Sequence, residues 1–361
     1  MTRPARALVD IAALKHNLQR ARQLHPDRKI MAVVKANGYG HGIAAVSDAL
    51  SGADGFGVAS IDEALVLRDH GVTAPITVLE GFFDGAELPY FRSHDLQAVV
   101  HSGWQLELLE RTKLDGKVDI WLKVDTGMNR LGFALDDIEV AIRRVSSSDY
   151  AGEIGLMSHL ACADEPGSEA TREQIARFRA LASQHRFTTS LANSAGVVGW
   201  PDSAFDWQRP GIMLYGSSPV AGQSAQELDL QPAMTVKSAL IAVNQRRKGD
   251  AVGYGGEWVC PEDMAVGVVA FGYGDGYPRH ARSGTPVLVN GKLVPLIGRV
   301  SMDMITLDLR NQPSAQAGDE VILWGEGLPI DDVARDAGTI SYELICHVTE
   351  RVLRVIVDEA C

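Results

Sequence analysis

The sequence contains no long apolar run, no block of basic residues, no internal repeat and few cysteines, and each absence removes a class of protein. Without a stretch of about 18 apolar residues there is no candidate membrane-spanning helix. The amino-terminal stretch MTRPARALVDIAALKHNL carries arginines, but Asp10 and Lys15 interrupt it before a signal-peptide core can form. A cytoplasmic protein is therefore expected. Lys and Arg number 34 against 46 Asp and Glu, a net charge of −12. With no basic face, neither nucleic acid nor a membrane is an expected partner. The four cysteines, Cys162, Cys260, Cys346 and Cys361, lie far apart and without paired ligand spacing. They suggest reduced structural thiols, with no metal site and no disulfide framework.

What is present is a globular composition, 46% hydrophobic and 22% charged over 361 residues, enough for one large and one smaller domain. Up to about residue 215, short Val/Ile/Leu-rich runs alternate with amphipathic stretches. Asp10 can cap a first helix whose Ile11, Leu14, Leu18 and Ala21 recur at helical spacing. Ser60 with Glu63, and Ser102 with Gln105, have the spacing of capping boxes at two later helices. Strands are expected at 30–34, 55–59, 76–79, 96–100, 118–124, 153–157, 187–191 and 205–208. Eight near-continuous apolar strands separated by helices predict a (β/α)₈ TIM-type barrel, with a doubly wound open sheet as the alternative. Beyond about residue 229 the texture becomes alternating, and Asn290-Gly291 between two apolar runs marks a hairpin. The division read from this change is a barrel over residues 1–229 and a mainly antiparallel β domain over 230–361, joined through a polar linker at 217–229.

In such a barrel, polar residues that directly follow the strands converge on one face. Here these are Lys35, His101, Lys123 with Asp125 and Arg130, His159, Asn193-Ser194 and Arg209. Lys35 lies in the glycine-rich segment AVVKANGYGHG. A lysine in an apolar mouth loses stabilisation of its ammonium form and can make a Schiff base with an aldehyde, chemistry that suits pyridoxal phosphate. The anion site that this cofactor needs is expected at the loops after strands seven and eight, where Ser194 and Arg209-Pro210-Gly211-Ile212 stand. Taken alone, that last segment reads equally well as an ordinary helix start.

Nine ordered segments carry a resemblance: AVVKANGYGHG, LKVDTGMNRLG, LMSHLACAD, LANSAG, FDWQRPGIMLYG, AVGYGG, GYGDGYPRH, GRVSMDM and ISYELIC. Together they span most of the chain, which resembles the alanine racemase family, pyridoxal-phosphate enzymes with a barrel and a carboxyl-terminal β domain. Gly38 and Gly274 stand where the family usually has Ala, and the tail VTERVLRV lacks the prolines usual there. The resemblance implies racemisation of L- and D-alanine by two bases, Lys35, which also carries the cofactor, and Tyr254, because exchange on a single face of a planar adduct restores the starting enantiomer. It makes His159 the neighbour that eases Tyr254 towards phenolate, and Arg209 the partner of the pyridine nitrogen. Tyr39, Ser194, Gly211, Ile212 and Tyr342 match the cofactor's phosphate ligands. Arg130 and the Met302 amide match contacts to the substrate carboxylate. Lys123 stands where many members carry a lysine carbamate that orients the arginine. Unmodified it repels Arg130, so either a carbamate or an anion such as Asp125 must compensate. Tyr254, Tyr273 and Tyr342 match an inner entrance, and Asp164, Arg279, Arg299 and Ile340 an outer one. The family assembles as a homodimer in which Tyr254 and Met302 complete the partner's site. Such an enzyme supplies D-alanine for peptidoglycan or L-alanine for breakdown. The alternatives are a barrel-type decarboxylase, a non-catalytic pyridoxal-phosphate carrier and, outside that cofactor class, a Schiff-base aldolase.

Overall fold

The computed structural model describes residues 3–358; Cys361 lies outside them. A first strand, β1 (Arg6–Asp10), leads directly into the helix Ile11–Leu24. Asp10 caps that helix by accepting from the Ala13 amide at 2.9 Å, and Ile11, Leu14, Leu18 and Ala21 are buried as the spacing predicts. There follow β2 (Lys29–Val33), β3 (Gly55–Val58), β4 (Ile76–Val78), β5 (Leu96–Val100), β6 (Val118–Lys123), β7 (Ala151–Met157), β8 (Thr188–Ser190) and β9 (Trp207–Gln208). Neighbours pair in parallel in chain order, and β2 pairs with β9, which closes the barrel. The open-sheet alternative is thereby excluded.

The barrel interior is a packed core, as closure at this strand number requires. Met31, Val99, Trp121, Met157 and Trp207 form one buried cluster inside it. Gly155 makes room for one of its two tryptophans, since a Cβ there would stand 2.5 Å from the Trp121 ring. Trp121 Nε1 donates to Gln97 Oε1 at 2.9 Å, and Thr77 Oγ1 donates to the same oxygen at 2.8 Å, so the indole and this hydroxyl share one acceptor. This floor leaves the carboxyl ends of the strands as the open face.

The second sheet is built around β10 (Met234–Arg246), which is antiparallel to Glu320–Trp324 along one stretch and to Met264–Val269 along the next. The hairpin Pro286–Val289 and Lys292–Ile297 turns at Asn290 (φ 49°) and Gly291 (φ 73°), the positive pair that a type I′ turn needs. Two features depart from the sequence reading. β1, which falls within the stretch assigned to the barrel, pairs antiparallel with β10 and parallel with Leu353–Val357, so the amino terminus completes the second sheet. That domain also carries two short helices, Ile330–Ala337 and Ser341–Cys346, and the second of these reaches the barrel mouth.

The two expected capping boxes do not form. Neither Ser60 nor Ser102 makes a side-chain cap bond to its helix. Glu63 and Gln105 instead take the amides of Ala59 and Ala36, and of His101, so their side chains serve the loops and not the helix starts. Among the described residues no helix is long and apolar enough to cross a membrane.

Candidate active site

The chain leaves β2 at Lys35 and at once turns left-handed, with positive φ at Ala36 (54°), Asn37 (55°), Gly38 (62°) and Tyr39 (49°). Three of these are not glycine, and each such residue is held against a cost of order 1 kcal/mol. Local bonds hold it: Gly38 N–H donates to Val34 O at 2.8 Å, Gly40 N–H to Ala36 O at 2.9 Å, and Ile43 N–H to Asn37 Oδ1 at 2.9 Å. The Tyr39 ring stacks on Tyr215 with centroids 4.6 Å apart. The turn delivers Lys35 and Tyr39 into one cavity of about 470 Å³ at the barrel mouth.

That cavity gathers eleven of the polar and cofactor-site residues singled out in the sequence: Lys35, Tyr39, Lys123, Arg130, His159, Asn193, Ser194, Arg209, Gly211, Ile212 and Tyr342. Ser194 Oγ accepts from the Gly211 amide at 2.7 Å and from that of Met213 at 3.4 Å, while Tyr39 Oη lies where a Cβ on Gly211 would meet it at 2.6 Å. Only glycine admits the Tyr39 hydroxyl there, so hydroxyls and loop backbone converge. Residues 212–215 form a single 3₁₀ turn rather than an α-helix, so the cradle depends on these side chains as well as on backbone amides. Burial raises the Tyr39 phenol well above its ordinary range and pushes that of Tyr342 up to about 12. Both are hydroxyl donors at neutral pH.

Arg209 is buried at the end of β9. It donates to Ser190 Oγ, to Ser158 O at 2.6 Å and to Leu191 O at 3.2 Å, and its Nη2 stands 3.3 Å from His159 Nδ1. Burial lowers its pKa to about 10, so it remains protonated near neutrality. Burial first, then Arg209, Lys123, Arg130 and Lys35, holds His159 far below the ordinary histidine range. A neutral imidazole facing a guanidinium accepts at Nδ1, which leaves its proton on Nε2.

Lys123 is pulled down to about 8 by burial and by Arg209, Arg130 and Lys35, and Asp125 raises it only as the last contribution. Asp125 is occupied elsewhere: its Oδ1 accepts from the amides of Gly127, Met128 and Asn129 at 2.8–3.1 Å. It fixes a turn and does little to offset the cations beside Lys123. The cup is therefore cationic on several sides, which suits an anionic ligand.

The remaining residues stay outside this cavity. Tyr254 is 67% exposed and Met302 53%, and neither lines it. Tyr273 and Arg279 border a separate cavity with Glu343 and His347. Arg299 pairs with Glu257, Ile340 is exposed, and Asp164 acts on Tyr342 only through its charge. Met302 lies in a fixed loop all the same. Gly274 N–H donates to Met302 O at 2.8 Å, and the next residue, Asp303, is gripped by Arg351 at 2.6 Å and, through its carbonyl, by Arg3 at 2.7 Å. A Cβ at Gly274 would stand 2.5 Å from the Arg351 guanidinium, so the small residue there leaves that side chain room. Sequence reasoning missed Glu80 and Tyr215, and gave Cys346 no place in the cup; the first and last line it, and Tyr215 stacks beneath Tyr39. Glu80 directly follows the expected strand 76–79, so the rule that polar residues at strand ends face the mouth could have found it, whereas the spacing of residues along the chain gave no signal for Tyr215 or Cys346.

A closed parallel barrel with an antiparallel second sheet, and a mouth that holds a lysine beside a hydroxyl-lined cradle, define an enzyme built for a small anionic ligand and amine chemistry. Comparison with known proteins agrees. Residues 9–219 match the family model described as alanine racemase, N-terminal domain, and residues 233–356 that of the C-terminal domain. An alanine racemase of Coxiella burnetii is 50% identical over 361 residues, covering 98% of this chain and 99% of that one. The crystal structure of the biosynthetic alanine racemase of Pseudomonas aeruginosa superposes with a TM-score of 0.97 at 44% identity, over 99% of this chain and 100% of that one. That of Bartonella henselae, described with covalently bound pyridoxal phosphate, gives 0.88 at 28% identity over 98% and 99%. The chain belongs to the alanine racemase family.

Proposed function

We propose that this chain interconverts L- and D-alanine with pyridoxal 5′-phosphate held on Lys35, and that the two bases are Lys35 and Tyr254 of the partner subunit. The observation that carries this reading is the convergence, on one cavity, of the Lys35 amine, the Tyr39–Ser194–Gly211 cradle and a buried Arg209 that has no carboxylate hydrogen-bond partner among the described residues. That donor set fits the cofactor: an amine for its aldehyde, hydroxyls and amides for its phosphate, and a permanent cation for its ring nitrogen. Tyr39, Ser194, Gly211, Ile212 and Tyr342 would hold the phosphate. When bound, pyridoxal phosphate supplies an aldehyde for the substrate amine and a conjugated ring that withdraws electrons from the Cα–H bond.

The protein's own groups set the rest. Arg209 would donate to the ring nitrogen without giving up its proton, which would keep that electron withdrawal moderate. His159 accepts from Arg209 at Nδ1 and presents Nε2–H to the Tyr254 phenol, stabilising its deprotonated form. Lys35 Nζ moves the proton on one face of the substrate carbon, and Tyr254 Oη on the other. Arg130 and the partner's Met302 amide orient the carboxylate. The exposed Tyr254, Tyr273, Met302 and Ile340 support a homodimer with shared sites, because large side chains left uncovered at positions that the family reading assigns to the site suit a second copy. Tyr273, Asp164, Arg279, Arg299 and Ile340 would then border the entrance. This reading includes a cytoplasmic location. The decarboxylase and carrier alternatives are not favoured, since both family domains match along the chain.

Purified protein with pyridoxal phosphate should interconvert alanine enantiomers and leave lysine and ornithine untouched. Tyr254→Phe should keep the cofactor while losing about 10²–10⁴-fold in racemisation, the range expected for one acid–base group. Exchange of the α-hydrogen in deuterated water should survive better from D-alanine, on which Lys35 acts. Equal loss from both enantiomers would leave Tyr254 only a structural part.

Lys123 is also read here as a carbamate. A carbamate forms from the neutral amine, and a pKa of about 8 provides that form near physiological pH, whereas an ordinary lysine provides little. Its negative charge would satisfy Arg130. Protein equilibrated with ¹³C-bicarbonate should show one carbamate carbon resonance that Lys123→Ala removes, and a resonance that persists in the variant would assign it elsewhere.

A further inference from the structure

Around the barrel mouth, adjacent loops are joined in pairs by single side chains. Gln105, from the helix Gly103–Arg111, accepts from the His101 amide after β5 at 2.8 Å and donates to the carbonyls of Glu80 and Phe82 after β4 at 3.2 and 3.1 Å. Gln174, from Glu169–Ala182, accepts from the Ala161 amide after β7 at 2.9 Å and donates to His159 O at 2.9 Å and, across to the loop after β6, to Thr126 Oγ1 at 3.3 Å. Ser194 after β8 accepts from Gly211 after β9. Glu63, from Ile61–Asp69, is the member for β2 and β3: Oε1 accepts from the Ala36 amide at 2.6 Å and Oε2 from the Ala59 amide at 2.8 Å.

The chemistry of each clasp follows from the groups it joins. Gln105 and Gln174 each face both a donor and an acceptor, which an amide satisfies with its two ends. Glu63 faces two N–H groups, and a carboxylate can accept with both oxygens where an amide cannot. Such bonds are charge-assisted and stronger than neutral ones. One of them falls on the peptide immediately after Lys35, where the left-handed turn begins.

We propose that Glu63 is a positioning residue for Lys35: its carboxylate ties the amide next to the reacting amine to the neighbouring barrel loop, and so fixes where Nζ stands in the cup. This rests on the reading of Lys35 as the reacting amine. Glu63→Gln keeps size and helix but sets an NH₂ group against one of the two amides, which releases one loop.

The test uses full-length holoenzyme of wild type, Glu63→Gln, Glu63→Ala and Gln105→Ala, the last a clasp between loops that carry neither proposed base. In Glu63→Gln, amide hydrogen exchange in the peptide covering 33–40 should rise by about tenfold or more, as expected for a lost charge-assisted bond. The kcat for alanine should fall by up to about 10²-fold, the scale of a displaced reacting group, with KM changing less. Gln105→Ala should lower the unfolding midpoint without accelerating exchange at 33–40. Glu63→Ala removes both acceptors, so unchanged exchange at 33–40 in that variant overturns the proposal, and so does an equal kcat loss with equal exchange in Gln105→Ala. Should borohydride attach the cofactor to another lysine in wild type, the parent reading fails, while exchange at 33–40 still decides whether the clasp holds that loop.

Discussion

Lys35→Ala is expected to leave a folded protein that neither holds pyridoxal phosphate covalently nor racemises alanine. Loss of a base alone removes about 10²–10⁴-fold in rate, and loss of the covalent attachment adds to it. The fold should survive, because Lys35 is only half-buried at the cavity edge and the turn that follows it is held by backbone bonds and by Asn37 and Glu63. The measurement is borohydride reduction of wild type and variant with the cofactor, followed by peptide mapping. Wild type should carry the reduced cofactor on Lys35 and the variant should carry none. The informative rival is Lys123, which lines the same cavity and has a pKa of about 8, low enough to offer a neutral amine. Cofactor trapped on Lys123 in wild type would overturn the assignment of Lys35. Trapping there only in the variant would show Lys123 unmodified, which bears on its carbamate and leaves Lys35 in place.

The barrel was legible because parallel strands buried on both faces read as continuous apolar runs, and polar residues at the ends of most runs mark the open face. Strand limits shifted by a few residues where pairing is short, as at Thr188–Ser190 and Trp207–Gln208. β1 was not read. RALVD alternates in burial, yet its partners Met234–Arg246 and Leu353–Val357 lie more than 200 residues away, and no local pattern reports a pairing at that distance. The serine–glutamate and serine–glutamine spacings were real, but the structure spends the acidic and amide groups between loops, a use that depends on which amide faces them across the rim. Lys35, Lys123, His159, Ser194 and Arg209 were placed by strand ends alone. The resemblance was needed for Tyr254 and Met302, since nothing in VGYGG or VSMDM distinguishes a base or a carboxylate contact from an ordinary turn.

The position of those two residues leads to the prediction with the widest range, from no activity to a quarter of wild type. In a single chain Tyr254 is 67% exposed and borders none of the cavity that holds Lys35, so a base at that position must come from a second copy if the two-base reading holds. A two-fold dimer then has two sites, each with Lys35 from one subunit and Tyr254 from the other. Mixing the inactive Lys35→Ala and Tyr254→Phe proteins under subunit exchange produces heterodimers in which one site collects both lesions and the other has neither. With random exchange about half the dimers are mixed and half of their sites are intact, so activity should recover to roughly a quarter of wild type. Had each chain supplied both groups to its own site, every site would keep one lesion and nothing could recover. Exchange has to be verified by mass labelling, and a mixture that has exchanged and stays inactive removes the shared site. Such a result would require Tyr254 to travel into its own subunit's cup, against a placement in which it is exposed and lines none of that cavity.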